Sequence, residues 1–139
     1  MKILFLDIDG VICMGNHPDL LDVPQLLTLQ FLVKETDCKI VLSSDWRRKE
    51  AWLQMAREQM GFFGLEILDI TPIRLSRDLR WLEIREWLND HKDIENFAIL
   101  DDDVDAMIPD RAETFFFTDY NLGGLNLKIA KQIVKYFNE

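Results

Sequence analysis

The sequence is short of the residues that would open several lines of function. Its 139 residues include two cysteines and two histidines. Cys13 and Cys38 form neither a CxxC pair nor a disulfide framework, so they read as reduced, structural thiols. His17 and His91 stand alone, which leaves no Cys/His set for zinc and makes each a loop or helix-end residue. Positive charge is also scarce. Sixteen Lys and Arg against 25 Asp and Glu give a net charge of -9, and a field of that sign does not draw in nucleic-acid backbones or anionic membranes over distance. No apolar run approaches the roughly 20 residues that span a bilayer. The opening "MKILFL" meets Asp7 too early for a signal-peptide core, so we expect a soluble, cytoplasmic chain with no membrane partner. Linkers, repeats and low-complexity tracts are missing as well, and residues 1–139 read as one domain.

What the chain has is apolar mass, 48% hydrophobic and 11% aromatic, enough for a sizeable core. It is laid out in two alternating patterns. "KILFL", "KIVLS", "FAIL" and "TFFFT" are short, near-continuous apolar runs, the mark of parallel strands covered on both faces. Between and after them come helical spacings: Leu26, Leu29 and Val33; Trp52, Met55 and Ala56; Trp81, Ile84 and Leu88; Ala130, Ile133, Val134 and Phe137. Strand and helix in alternation predict an α/β fold, a doubly wound, mainly parallel sheet in a three-layer α/β/α arrangement. Ligands of such sheets sit beyond the carboxyl ends of the strands, so the residues after each run should converge. They are Asp7-Ile8-Asp9-Gly10, then Ser43-Ser44-Asp45-Trp46-Arg47, then Asp101-Asp102-Asp103, and finally Asp119.

Asp7 and Asp9 beside Asp101 and Asp102 would repel one another, and such a group either raises a pKa or recruits a cation. A hard, oxygen-ligated ion such as Mg2+ fits, because it takes a few carboxylates and leaves positions for phosphate oxygens. Asp19, Asp78 and Asp110 read instead as turn or cap residues. A phosphoryl group in transfer also needs hydrogen-bond donors and a fixed positive charge. Ser43 or Ser44 offers the first, and an arginine at the helix beginning near Arg77 offers the second. Arg74, Arg77, Arg80 and Arg85 crowd one segment, and Arg47, Arg48 and Lys49 another. Such runs ordinarily make solvated helix faces, but a cationic rim around an acidic centre is compatible with them.

"LDIDGV", then a serine-terminated strand, then a basic residue, then an apolar strand ending in "DDD" resembles the haloacid dehalogenase (HAD) superfamily of phosphohydrolases over the whole chain. "VLSSDWR", "TPIRLSRDLRWLEIREWL" and "FAILDDDVDA" further resemble the small HAD domains of nucleic-acid repair proteins related to polynucleotide kinase-phosphatases. The resemblance implies a Mg2+-dependent phosphomonoesterase. Asp7 would be the nucleophile that forms an aspartyl-phosphate, and Asp9 would protonate the leaving alkoxide and then activate water. Superfamily members acting as dehalogenases lack that second aspartate. Gly10 would let the backbone turn beside the phosphate. Ser44 is assigned the phosphate-binding hydroxyl, with Ser43 as its close rival. Arg80 best matches the basic residue, with Arg74 and Arg77 as rivals, and as an arginine it would grip phosphate as a fork. Asp101 and Asp102 would hold Mg2+ with Asp7 and the Asp9 carbonyl. If Asp102 is the direct ligand, Asp101 stands behind it, Asp105 holds a metal-bound water and Asp103 is a cap.

Small-metabolite HAD enzymes carry an inserted cap domain. Here about 34 residues separate Asp9 from Ser43 and about 36 separate Ser44 from Arg80, spans that a helix and its connections fill. We therefore expect no cap, and an open site for a substrate that brings its own bulk, such as a nucleic-acid end or a phosphoprotein. The competing reading is a binding module, a non-catalytic HAD scaffold or a phospho-accepting, receiver-like domain. Receivers, however, place the phosphorylated aspartate after a middle strand and a lysine late, an order this chain does not follow. A cysteine phosphatase would need an arginine six residues after Cys13, where Asp19 stands. Trp81 and Trp87 read as core residues before they read as a partner surface, and neither the oligomeric state nor the substrate is legible.

Overall fold

The computed structural model describes residues 1–74, 79–94 and 96–139. Among them are five strands and four α-helices, alternating as far as β4: β1 (Lys2–Leu6), α1 (Val23–Thr36), β2 (Lys39–Leu42), α2 (Glu50–Gly61), β3 (Ile67–Ile70), α3 (Arg80–Asn89), β4 (Asn96–Asp101), β5 (Phe115–Phe117) and α4 (Leu127–Asn138). The expected α/β class holds, and the sheet is parallel at every pairing, in the order β3-β2-β1-β4-β5. None of the described helices is long and apolar enough to cross a membrane.

The helices follow from local chemistry. Pro24 sits in the first turn of α1, where its missing N–H costs nothing, and the helix stops at Asp37 in a left-handed conformation whose N–H reaches back to the Val33 carbonyl. The side chain of Asn126 accepts the N–H of Ile129 and starts α4. The strands sort their side chains by parity. Leu4, Leu6, Ile40, Leu42, Ala98 and Leu100 face a large cluster built with α1, α2 and α4. Ile3, Phe5, Val41, Phe97 and Ile99 face a smaller cluster with Ile84 and Trp87 of α3. Phe5 lies fully buried at its centre, edge-on to Trp87 at 5.4 Å and to Phe97 at 5.9 Å. Trp87 is thus a core residue, and its indole N–H donates to Asp69 at 2.8 Å. Trp81 packs half-buried against the same cluster.

The reading of four apolar runs missed one strand. "ILDI", residues 67–70, forms the β3 edge, and its register against β2 slips between Ile40 and Val41. "KIVLS" and "TFFFT" also end short of their polar flanks, at Leu42 and Phe117.

The chain winds outward from β1 to β2 to β3, then crosses back to lay β4 on the other side of β1. The carboxyl end of β1 is therefore the switch point, where the connections on either side part and leave a crevice.

Candidate active site

Strand register assembles this crevice. Leu6 pairs with Leu42 on one side and with Leu100 on the other. The next residues, Asp7, Ser43 and Asp101, form one row, tied by Asp7 N–H to the Leu100 carbonyl and Ser43 N–H to the Leu6 carbonyl, each at 3.0 Å. By parity these three side chains follow Phe5, Val41 and Ile99 onto the α3 face. All three are buried: Asp7 is 7% exposed, Ser43 0% and Asp101 1%.

The first turn of α3 brings Arg80 to the same place. Its guanidinium lies 3.4 Å from Asp7 Oδ1, 3.9 Å from Asp101 Oδ2 and 3.3 Å from Asp45 Oδ1, and it donates to the Ser43 carbonyl. Arg74, its rival, is turned elsewhere: its backbone N–H donates to Glu83 and its side chain pairs with Glu86 at 3.6 Å. Arg77 and Asp78 lie outside the described residues. The crevice is a pocket of about 180 Å³ in which Arg80 is surrounded by Asp7, Asp9, Asp45, Asp101, Asp102, Asp103 and Asp105.

Burial among like charges shows in the acidities. Burial, then the Asp101 and Asp102 charges, lift the Asp7 carboxyl well above the carboxylate range, with Arg80 opposing. Burial pushes Asp101 up to about 7 against the pull of Arg80. Burial also raises Asp105, helped by Asp103. For Arg80, burial works against the charge, and Asp7, Asp101 and Asp45 more than offset it.

Oxygens of Asp7, Asp101 and Asp102 lie within 4.8 Å of one another. Asp101 Oδ2 is buried and has no hydrogen-bond partner among the described residues. A buried acceptor without a hydrogen bond, set among close carboxylates, fits a hard divalent cation with oxygen ligands. Gly10 completes this wall. Its φ is +81°, and a Cβ there would collide with the Asp102 carboxylate, so the loop passes Asp102 at a distance only glycine allows. The Gly10 carbonyl is held by the Thr118 hydroxyl at 2.9 Å.

The two serines part ways. Ser44 Oγ accepts the Trp46 N–H at 3.1 Å and starts a short 3-10 turn, Asp45–Arg48. Ser43 Oγ is buried with no hydrogen-bond partner among the described residues. Asp9 stands exposed at the pocket's edge, its Oδ1 taking the Trp46 indole N–H at 3.3 Å. Asp103 caps the turn Val104–Ala106 by accepting the Asp105 N–H, the role expected of it. Asp119 caps another short turn, Tyr120–Leu122. Asp19 is a turn residue with φ +61°, and exposed Asp110 pairs with Arg85.

Arg47 corrects the expectation of a solvated basic run. It is 3% exposed, donates to the carbonyls of Ser43, Ser44, Thr71 and Pro72, and pairs with buried Glu83 at 2.8 Å. This clip ties the ends of β2 and β3 to the helix that carries Arg80. The only hint of it in the sequence is Glu83, an acidic residue directly before Ile84 on the buried side of an amphipathic helix.

Two comparisons with known proteins are negative: no curated protein and no solved structure matches the chain. A third, against protein families, matches residues 3–126 to the family described as the HAD domain in Swiss Army Knife RNA repair proteins. Among the described residues the spans from Asp9 to Ser43 and from Ser44 to Arg80 hold only α1, α2, β3, a 3-10 turn and loops, consistent with a capless member.

Proposed function

Because the chain belongs to the family of HAD domains found in Swiss Army Knife RNA repair proteins, we propose that it is a Mg2+-dependent phosphomonoesterase working through an aspartyl-phosphate. The observation that carries the proposal is the row of Asp7, Ser43 and Asp101 facing Arg80 at the switch point.

Asp7, Asp101 and Asp102 would hold Mg2+, with the Asp9 carbonyl as a further ligand; the ion supplies charge neutralisation for phosphate oxygens and for the crowded carboxylates. Asp7 Oδ attacks phosphorus as the bond from phosphorus to the alcohol oxygen breaks. Asp9, held by Trp46, gives its proton to the departing alkoxide. Asp9 then takes a proton from water, which attacks phosphorus, breaks the bond to Asp7 and releases inorganic phosphate. Arg80 binds the equatorial oxygens as a fork. Ser43 is favoured over Ser44 as the hydroxyl donor, since parity puts it beside Asp7 and its Oγ has no hydrogen-bond partner among the described residues.

The deciding measurement is phosphate release from a panel of nucleotides, 3′- and 5′-phosphorylated oligonucleotides, phosphopeptides and sugar phosphates. Release that EDTA abolishes and Mg2+ restores, and that Asp7→Asn lowers by at least about 10³-fold, is expected. A stable acyl-phosphate on Asp7 without release would favour a binding module instead.

A further inference from the structure

Arg80 opens α3, and the residue before it, Leu79, offers no side-chain cap. The ends of helices fray, yet a guanidinium that grips phosphate from the first turn needs that turn held still. The hold comes one turn further on. Glu83, three residues later on the same side of the helix, is buried, and its Oε2 lies 2.8 Å from Arg47 Nη2, 3.4 Å from Arg48 Nη2 and 3.0 Å from the Arg74 backbone N–H. We propose that Arg47 and Glu83 are positioning residues for the phosphate site: the pair fixes the reach of Arg80, and the main chain of Ser43, relative to Asp7. The proposal rests on the phosphatase reading in one respect, that Arg80 is the group that grips phosphate.

Arg47 itself is closed to phosphate. A guanidinium carries five N–H groups, and here each meets an acceptor within the protein. Nε donates to the Thr71 carbonyl at 3.1 Å; Nη1 donates to the carbonyls of Ser43 at 3.1 Å and Ser44 at 3.0 Å; Nη2 donates to the Pro72 carbonyl at 2.9 Å and to Glu83. The Ser43 carbonyl is the joint between the two arginines, because Arg80 donates to it as well. Two like charges that share one acceptor repel each other. The Glu83 carboxylate neutralises the inner one and leaves Arg80 to face Asp7 and phosphate. Without Glu83, buried Arg47 would lose its counter-charge, and the first turn of α3 would lose its tie to the ends of β2 and β3. In a reaction that depends on alignment, a displacement of about 1 Å is enough to cost about 100-fold. Well-packed apolar side chains often brace a core as well as a buried ion pair does, so a fully engaged fork on the strand-end carbonyls points to alignment rather than to stability alone.

The test uses the full chain in Mg2+ with inorganic phosphate as the probe. Affinity is read by phosphorus NMR, and the Nε–H signal of Arg80, assigned by its loss in Arg80→Ala, reports whether that guanidinium is the group engaged. At a temperature where the variant is folded, Glu83→Gln should weaken phosphate binding by at least about tenfold and blunt the response of the Arg80 signal. Because that change leaves Arg47 without its counter-charge, Arg47→Met combined with Glu83→Gln repeats the measurement in a chain with neither charge, and the same weakening is expected. Arg47→Lys keeps the charge without the fork and should weaken binding as well. In the Arg80→Ala chain, adding Glu83→Gln should change the affinity by less than about twofold, the mark of two residues acting through one contact. Unchanged affinity in the folded variants, or a loss as large without Arg80 as with it, overturns the proposal, as does phosphate that leaves the Arg80 signal of the parent chain unmoved. The expected pattern in a chain that releases phosphate from no substrate would keep the positioning role and remove the phosphatase reading. Turnover of phosphomonoesters with a phosphate affinity indifferent to Glu83→Gln would do the reverse.

Discussion

Ser43 and Ser44 are neighbours in sequence and are separated by the pleat. One hydroxyl caps a turn and the other lies buried and unbonded on the face shared with Asp7. Their alanine variants should therefore fail differently. Ser44→Ala should cost about 1 kcal/mol of stability, as lost caps do, with a minor effect on kcat/KM. Ser43→Ala should leave stability nearly intact and lower kcat/KM by about 10- to 100-fold, the effect of one donor to a phosphoryl oxygen. Urea unfolding and steady-state kinetics on both variants check the pair; the reverse pattern would return the role to Ser44. Gly10→Ala faces a steric conflict with Asp102 and a left-handed backbone that costs about 1–2 kcal/mol in any L-residue. It should weaken Mg2+ binding, measured by calorimetry, more than it lowers the melting temperature.

At the scale of elements, what could be read from the sequence was whatever depends on near neighbours along the chain. The runs leading to Asp7, Ser43 and Asp101 are apolar because both faces of the sheet are covered, and the polar residues that follow announce where each strand leaves its core. The four helices declare themselves by spacing. β3 did not, because Asp69 interrupts its apolar run, and that carboxylate is held by the Ile70 N–H and by the indole N–H of Trp87, donated from another element. The choice between the serines was within reach by counting alternation from Phe5 and Val41, but it needed the register of β1 on β2 to give it meaning. The Arg47 clip joins residues 36 positions apart and has no local signature. It is a buried ion pair, with side-chain exposures of 0% and 5%, so breaking one side strands a charge. Glu83→Gln should cost about 3–5 kcal/mol, and Arg47→Met combined with Glu83→Gln less than the sum of the single changes, a coupling that a double-mutant cycle in urea would measure.

For the molecule as a whole, the raised pKa values of Asp7 and Asp101 link stability to pH. Unfolding returns Asp101 from about 7 to the ordinary 3.8, so between these values the folded chain holds more protons than the unfolded one. Without metal, stability is then greatest at the acidic end of that window and falls as pH rises through it. Melting in EDTA should occur several degrees lower at pH 8 than at pH 5. Mg2+ should reverse the order, because a cation that binds only the ionised, folded site stabilises it most where the carboxylates are charged. A melting temperature indifferent to pH in EDTA would mean that the carboxylates are not crowded in solution as they are here.

The pocket that gathers seven aspartates around one arginine also governs how often a substrate arrives. A phosphate dianion approaching a chain of charge -9 meets a repulsive field until it is within reach of Arg80 and of any cation held by the aspartates. Added monovalent salt shortens the range of that field, to about 10 Å at 0.1 M. The encounter rate should therefore climb with ionic strength, opposite to the behaviour of proteins that meet nucleic acid through a basic surface.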